Sequence, residues 1–361
     1  MQPWISPPTQ WPAVRGAGLA LLAAALFGCS APLVQRLGAG SGSFVTASLL
    51  YGGAALAGAA TRRSSQREAG LRRGDLARLS AMALFGAGIG PVAFAWGMQH
   101  ASATAGSLML TMEAVFTAAL GWLFYGEGVG RRVGMSLGLL SAGAMLLVLD
   151  RAQAGVAASL GLLAVAGATL AWGVDNALSR PLAQRDPGQV VMIKAALGGA
   201  ATAVLAGLSG QPLPGAASAL GLLAVGACGY GLSLRFYLLA QRAFGVARTG
   251  SVFAFAPFIG AVLAVLLGDR HGDGWLAAGG ALMFTGIVLH ISERHSHEHW
   301  HSAQEHEHAH QHGDGHHDHD HAHDAAASGV TPVSVHSHPH RHRPGRHAHA
   351  HVPDEHHQHS H

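Results

Sequence analysis

The sequence predicts an all-α membrane protein of ten transmembrane helices, arranged as two inverted five-helix repeats and followed by a disordered C-terminal tail. The 361-residue chain is 49% hydrophobic and 11% charged, whereas a soluble domain has about 25% charged residues. Its apolar runs are long enough to cross a bilayer core of ~30 Å as helices. Motifs of the first half also return in the second half, 142 positions later.

The internal duplication is clearest in two long apolar segments. Ala103–Glu127 ends on a Gly-Glu pair, and Val246–Asp269 ends on Gly268-Asp269 at the same offset. Phe27-Gly28 is likewise similar to Trp172-Gly173, 145 positions later. Five helices per repeat is an odd number, so the second repeat must have the opposite orientation in the membrane. Inverted repeats of this kind often enclose a solute site.

The predicted domains follow from the positions of these helices. An N-terminal Pro-rich segment, 1–14, precedes a first repeat at 15–150 and a second repeat at 156–292, and the tail covers 295–361. Frequent Gly and Ala residues would let the helices approach closely. The ten predicted helices are 15–37, 43–61, 79–100, 103–125, 132–150, 156–178, 189–208, 216–240, 246–268 and 273–291.

The arginines predict the orientation of the chain. If the N-terminus is cytoplasmic, twelve arginines fall in cytoplasmic loops and only Arg36, Arg151 and Arg270 fall on the other side. Positively charged loops tend to stay in the cytoplasm. We therefore expect a multi-pass protein of the plasma (inner) membrane with both termini in the cytoplasm. The cytoplasmic arginines are Arg62, Arg63, Arg67, Arg72, Arg73, Arg78, Arg131, Arg132, Arg180, Arg185, Arg242 and Arg248.

Composition also excludes several classes of function. The basic isoelectric point, near 9.2, comes from arginines between apolar runs, which indicates topology rather than nucleic-acid binding. The sequence has no nucleotide-binding loop and no nucleophile–base arrangement, and its loops are too short for a catalytic domain, so we expect neither an enzyme nor a required cofactor. Cys29 and Cys228 fall in apolar runs and are interpreted as packing residues. The oligomeric state stays open, a homodimer being one alternative.

Several motifs resemble the EamA group of the drug/metabolite transporter superfamily, over about residues 15–292. The resemblance implies ten helices, alternating access and transport of small solutes without ATP, and a subgroup with these motifs also ends in a His-rich tail. Asp269 stands where the family usually has Glu. Ala114-Val115 replaces a common proline, which predicts a straighter fourth helix than the ninth. The matching motifs are Met112–Thr117, Gly126-Glu127, Trp172–Asn176, Tyr230–Ser233, Ala247–Gly250, Ala256–Gly260 and Gly268-Asp269.

Glu113 is the strongest candidate for a residue of the substrate pathway. It lies about ten residues into the fourth helix, near the middle of the membrane. A carboxylate at this depth costs a few kcal/mol unless it is neutralised, paired or hydrated. Two interpretations are open: a proton-coupling group in the pathway, or a protonated structural carboxyl.

Other polar residues in the helices are further pathway candidates. Asp175 and Asn176 lie toward the cytoplasmic end of the sixth helix and Lys194 just inside the seventh, so an Asp175–Lys194 ion pair could form a gate or a static link. Arg235 needs an anion or must extend to the interface. Trp172 is a candidate cavity aromatic. Glu127 and Asp269 are predicted to end their helices on the cytoplasmic side, where each would meet an arginine in a gating or structural contact.

The tail contains 24 of the 27 histidines. Imidazole suits Zn, Ni, Co and Cu, and a flexible tract can gather several ligands around one ion. We expect exchangeable metal sites, although metal binding by a tail does not show metal transport. The principal candidate ligands are His295, His297, His299, His301, His306, His308, His310, His312, His316, His317, His319, His321 and His323.

Three functions are therefore compatible with the sequence. The first is a proton-coupled or facilitative exporter of a small metabolite or drug, whose tail binds cytoplasmic transition metal. The second is an exporter of Zn, Ni or Co whose tail collects the ion, and the third is a membrane metal sensor. The first is preferred because no His/Asp cluster crosses the predicted helices.

Overall fold

The computed structural model describes most of the chain before the tail. The described residues are 11–61, 70–126, 130–153, 155–182, 185–244, 246–269, 274–291, 296–301, 305–310, 336–341 and 345–350.

Five helices form the first repeat. Helix α1 spans Trp11–Leu37 and α2 spans Ser43–Thr61. Helix α3 joins a 3₁₀ turn, Arg73–Asp75, to Leu76–Met82, a π-helical segment Ala83–Ile89, and Gly90–His100. Helix α4 has two halves, Ala103–Met109 and Met112–Tyr125, and α5 spans Arg131–Gln153.

The second repeat has the same plan. Helix α6 spans Val156–Ser179, continues into a 3₁₀ turn, Arg180–Leu182, and is followed by α7, Pro187–Leu208. Helix α8 consists of Ala216–Val225, a π-helical segment Gly226–Leu232, and Ser233–Phe244. Helix α9 has two halves, Val246–Phe253 and Ala256–Leu266, and α10 spans Gly274–Ile291.

In the described part of the chain, nine helices are long and apolar enough to cross a membrane. The tenth predicted helix is present as α10, whose apolar stretch, Gly274–His290, is shorter than the others. The predicted boundaries agree closely except in α3, which begins at Arg73 rather than at 79. It begins early because Asp75 accepts a hydrogen bond from the Arg72 amide at 2.8 Å and starts the 3₁₀ turn.

The two repeats share the same local irregularities. The third helix of each repeat contains a seven-residue π-helical segment. After each segment, a backbone amide donates to the carbonyl five residues earlier: Gly90 to Phe85 in α3, and Ser233 to Cys228 in α8. Each fourth helix is interrupted near its middle. Such irregularities are rarer than regular helix, so their recurrence supports the duplication seen in the sequence.

The break in α4 corrects one prediction. The fourth helix is not straighter than the ninth, since both are interrupted although only α9 contains a proline there, Pro257. In α4 the backbone tightens into 3₁₀-type bonds, in which the amides of Leu110, Thr111 and Glu113 bond carbonyls three residues back. The interruption of this helix therefore does not depend on a proline.

The main helix contacts between the two halves are reciprocal: where a helix of the first half makes one, its counterpart in the second half makes the same one. Helix α2 packs on α7, and α5 on α10. Helix α1 packs on α8 and α9, just as α6 packs on α3 and α4. Glycines allow the close crossings: a Cβ atom on Gly28 would collide with the Ala256 carbonyl in α9, and one on Gly226 with the Leu50 carbonyl in α2.

The bundle has two ends, which we name after residues of α4. The Tyr125 end contains the C-termini of α2, α4 and α6 and the starts of α3, α7 and α9. The Thr104 end contains the starts of α2 and α4 and the C-termini of α3, α7 and α9. A hydrogen bond between a loop and the first turn of a helix marks each end, from Leu71 N to Gln189 Oε1 of α7 (3.1 Å) at the first and from Phe44 N of α2 to Gln211 Oε1 (2.9 Å) at the second.

The described part of the tail contains four short strands where the sequence predicts disorder. Strand β1, Ser296–His301, pairs antiparallel with β4, Gly345–Ala350. Strand β2, Glu305–His310, pairs antiparallel with β3, His336–Arg341. A repeated His-x-His pattern has the two-residue period of a strand, which accounts for the difference.

Candidate functional site

The π-helical segment of α3 leaves a backbone carbonyl free in the middle of the bundle. Because the Gly90 amide bonds Phe85, the next amide in the same register would bond Gly86, but residue 91 is a proline and has no N–H. Two side chains supply the missing donors: the hydroxyl of Tyr51 at 2.5 Å and Nε1 of Trp172 at 3.1 Å.

Gly86 also makes room for Asp175, which forms an ion pair with Lys194. Asp175 Oδ2 is 2.6 Å from Lys194 Nζ, and the two side chains are 9% and 12% exposed. A Cβ atom on Gly86 would collide with the Asp175 carboxylate. The predicted ion pair is thus present between α6 and α7, and it is held against the backbone of α3.

Glu113 is held by the residue next to Asp175. Asn176 Nδ2 donates to Glu113 Oε1 at 2.8 Å and lies 3.4 Å from the hydroxyl oxygen of Thr117. Glu113 follows the break in α4, in the first turn of the second half-helix, where the helix dipole favours a negative charge. It also interacts electrostatically with Asp175 and Lys194. We call Glu113, Asp175, Asn176 and Lys194 the central cluster.

Aromatic side chains line one side of the central cluster. Phe27 is at the centre of the group, with its ring 5.9 Å from Tyr230, 5.4 Å from Phe253 and 6.4 Å from Trp172. Tyr230 lies close enough to Glu113 to interact with it electrostatically. The wall combines residues of α1, α6, α8 and α9, so both repeats contribute to it.

The two ends of the bundle differ in how α4 and α9 pack. At the Thr104 end, the first half of α4 packs on the second half of α9. Toward the Tyr125 end, the second half of α4 packs on α5 and α6, and the first half of α9 packs on α1 and α8. Asn176 is exposed and Glu113 partly exposed on this side. Asn176 lies one turn before the end of α6 at Ser179, so the central cluster reaches the protein surface toward the Tyr125 end.

Side chains close the Thr104 end. Gln35 Nε2 donates to the Ala101 carbonyl at 2.6 Å, and Gln99 Nε2 donates to the carbonyls of Gly38 and Ser41, both at 3.1 Å. These bonds tie the α1–α2 loop to the end of α3.

Asp269 corrects a second prediction. It does not lie on the same side as Glu127, because Asp269 Oδ2 accepts a hydrogen bond from the Thr104 amide at 2.8 Å, at the opposite end of α4. The inversion predicted for two five-helix repeats requires this placement, so the prediction for Asp269 also disagreed with the predicted topology. A carboxylate at the first turn of a helix also interacts favourably with its dipole. Glu127 itself lies outside the described residues.

Arg235 lies away from the central cluster. Its guanidinium donates to the carbonyl of Thr61, the last residue of α2. This contact at the Tyr125 end agrees with the alternative in which the arginine extends toward the interface.

The metal-ligand candidates in the tail are described only in part. His297, His299, His301, His306, His308 and His310 lie in β1 and β2, of which only the backbone is described. The pairing places His299 opposite His347 and His308 opposite His338. The other candidates lie outside the described residues: His295, His312, His316, His317, His319, His321 and His323.

Sequence reasoning missed Tyr51 and Gly86. A signal existed in the chain, since the Gly-rich stretch before Pro91 predicts an irregular helix. The partner that supplies the missing donor is set by tertiary packing, which no local pattern shows.

Comparisons with known proteins agree with this architecture. The profile of the EamA-like transporter family matches residues 14–149 and again 159–292. An uncharacterized transporter of Methanothermobacter thermautotrophicus is 26% identical over 238 residues, which are 64% of this chain and 68% of that protein. A protein of known crystal structure superposes on this chain with a TM-score of 0.56 and 18% sequence identity, over 78% of this chain and 95% of the other. The chain is a multi-pass membrane protein and belongs to the EamA-like transporter family.

Proposed function

We propose that this protein is a secondary transporter that exports a small organic solute across the plasma (inner) membrane by alternating access, without ATP. The observation that supports this most is the position of the central cluster. It lies between the two repeats, beside the break in α4, and reaches the protein surface toward one end of the bundle. Charged groups at this depth are costly and mark solute or ion pathways, and interrupted helices at the midplane commonly form such sites.

The architecture we propose is ten transmembrane helices in two inverted repeats. The two-fold pattern of helix packing supports it, as does the odd number of helices in each repeat. The arginine distribution supports an orientation with both termini in the cytoplasm, in which the Tyr125 end faces the cytoplasm. In this proposal the structure is an inward-open state that loads solute from the cell.

Export requires the opposite end to open in turn. The first half of α4 and the second half of α9 would separate at the Thr104 end, while their other halves approach each other. The breaks at Leu110-Thr111 and Ala254-Phe255 lie where such half-helices would pivot. Glu113 lies directly after the first break, so its occupancy by a proton or a solute can influence the movement of α4.

We propose that the histidine tail binds cytoplasmic Zn, Ni or Co as a buffer or regulator. The alternative is a metal exporter in which the tail collects the cargo. The central cluster favours the first proposal, because the ammonium of Lys194 bonds one of its two carboxylates at 2.6 Å, which leaves Glu113 as its single carboxylate for a ligand. Zn, Ni and Co sites need several His, Cys or carboxylate ligands, and the described residues contain no group of three such side chains.

One experiment compares three chains in cells: the full chain, a chain ending at Arg294, and Glu113→Gln. The measurements are Zn, Ni and Co content and resistance to a panel of toxic metabolite analogues. We expect resistance to require Glu113 but not the tail, and bound metal to follow the tail alone. If metal export is lost in both variants, the metal is the cargo and the proposal is wrong. If neither resistance nor metal export is observed with any chain, transport itself is contradicted and the sensor alternative is favoured.

A further inference from the structure

The central cluster has an unbalanced negative charge. It contains two carboxylates, Glu113 and Asp175, and one ammonium, Lys194. Asp175 is paired with Lys194, whereas Glu113 is bonded by the neutral amide of Asn176. When Glu113 is ionised, the cluster therefore carries a net charge of −1. The two phenols that face it, Tyr51 and Tyr230, supply no positive charge.

Asp175 also has an unused acceptor. Its second oxygen, Oδ1, is buried and has no hydrogen-bond partner among the described residues, and the residue is 6% exposed. A buried carboxylate oxygen without a donor is costly. The carboxylate lies directly against the backbone of Gly86, in the space that a side chain would take, so Asp175 adds negative charge to the cluster from a buried position.

The aromatic wall adds a third feature. The rings of Phe27, Trp172, Tyr230 and Phe253 form one connected group on the side of Glu113. The faces of aromatic rings attract cations and pack on other rings. The carboxylate of Glu113 and the aromatic wall together suit a compact cation that has an N–H group for the carboxylate and an apolar body for the rings.

We propose that the solute bound by the central cluster is a small aromatic primary amine in its ammonium form. The proposal rests on the transport function proposed above, in which Glu113 belongs to the pathway. The ammonium neutralises Glu113 and donates an N–H to its carboxylate, and its ring lies against Phe27 and Tyr230.

The same geometry discriminates against two related classes of solute. An anion would have to bind Lys194, which is already held by Asp175 and is 12% exposed. An amino acid would bring a second carboxylate into a site that already has negative charge in excess. Both should bind more weakly than the amine.

Binding to purified full chain tests the proposal. The protein is placed in nanodiscs of phosphatidylcholine and phosphatidylglycerol, which have no primary amine, and is titrated calorimetrically at neutral pH. The probes share one ring and differ in charge: phenethylamine, 2-phenylethanol, 3-phenylpropionate and phenylalanine. The variants are Glu113→Gln, Glu113→Asp and, as a carboxylate-to-amide control outside the site, Asp75→Asn.

We expect phenethylamine to bind at least tenfold more tightly than the other three probes. Glu113→Gln should reduce its affinity at least tenfold, Glu113→Asp should restore part of it, and Asp75→Asn should leave it unchanged. Unchanged binding of 2-phenylethanol by Glu113→Gln shows that the pocket remains folded. The proposal is overturned if phenylalanine or 3-phenylpropionate binds as tightly as the amine, or if a folded Glu113→Gln retains amine affinity.

Flux separates this inference from the proposed function. If the amine binds and depends on Glu113 in this way, but is not exchanged across the membrane of proteoliposomes in a counterflow assay, the amine site is supported and transport is contradicted. Glu113-dependent flux of another solute, without selective amine binding, supports transport and overturns the amine proposal.

Discussion

The indole Nε1 of Trp172 in α6 lies 3.1 Å from the carbonyl oxygen of Gly86 in α3. Pro91 leaves this oxygen without a donor in its own helix, and Tyr51 of α2 provides a second bond. A defect in one helix is thus satisfied by two neighbours, one from each repeat. This arrangement fixes Trp172 and the backbone beside Asp175.

The two donors to Gly86 should not contribute independently to stability. We expect Tyr51→Phe and Trp172→Phe each to lower the free energy of unfolding by ~0.5–1.5 kcal/mol. The double variant should lose about 1 kcal/mol more than the sum, because it leaves a buried carbonyl with no donor. A double-mutant cycle in mixed micelles measures this coupling. Additive losses would show that water replaces the missing donors.

Of the two glycines in the π-helical segment of α3, Gly86 should tolerate substitution less well than Gly88. We expect Gly86→Ala to destabilise the fold by ~1–3 kcal/mol and to reduce transport, because the new methyl group would collide with the Asp175 carboxylate. Gly88→Ala is the matched control in the same π-helical segment, where a Cβ atom would lie 3.5 Å from its nearest neighbour. Thermal unfolding and solute flux check both variants. Equal effects of the two substitutions would contradict the explanation.

The Asp175–Lys194 pair should be costly to break on one side. We expect Lys194→Met to lower the free energy of unfolding by ~3–5 kcal/mol, because it leaves a buried carboxylate without its cation. Asp175→Asn combined with Lys194→Met should recover most of this loss. The Asp75–Arg185 pair, 3.0 Å apart at the Tyr125 end, is the comparison, and removing Arg185 should cost less, because Asp75 keeps the hydrogen bond from the Arg72 amide at 2.8 Å. A double variant as unstable as Lys194→Met would contradict the prediction.

Two cysteines in α4 can test which end is open. In a background of Cys29→Ala and Cys228→Ala, we expect Thr117→Cys to react with a membrane-impermeant thiol reagent supplied from the cytoplasmic side. Ser107→Cys should stay unreactive, because residue 107 is buried in the half of α4 that packs on α9. The comparison uses spheroplasts and inverted vesicles. Reaction of Thr117→Cys only from the external side would reverse the proposed orientation.

The tail should bind metal independently of the helices. We expect the purified full chain to bind several equivalents of Zn and a chain ending at Arg294 to lose them. Binding should weaken below about pH 6, because protons compete with the metal for imidazole. Equilibrium dialysis measures both effects. Equal zinc binding by the two chains would place the metal sites elsewhere.

Sequence reasoning predicted the helices well because a membrane span leaves a strong and local signal. The lengths of α2, α4 and α6 follow directly from apolar runs between charged or Gly-rich loops. The Asp175–Lys194 pair was also predictable, since the two residues lie at similar depth on consecutive helices.

Other features depend on contacts between distant segments. The partner of Glu113 is Asn176, 63 positions away, and the partner of Asp269 is Thr104, 165 positions away. The sequence indicates Glu113 as a candidate but not its partner, and it predicts the wrong end of the bundle for Asp269. The break in α4 was missed because no proline marks it.

The two broken helices differ in one respect that bears on energetics. Glu113 follows the break in α4, whereas the stretch around the break in α9, Val252–Phe258, has no ionisable residue. A single carboxylate that releases one proton when it accepts one monovalent ammonium exchanges equal charges in opposite directions. Such a cycle is electroneutral. The membrane potential, worth about 2.3 kcal/mol per charge at 100 mV, would therefore make no net contribution to the free energy of the exchange. The pH gradient alone would then set how far the solute can be concentrated.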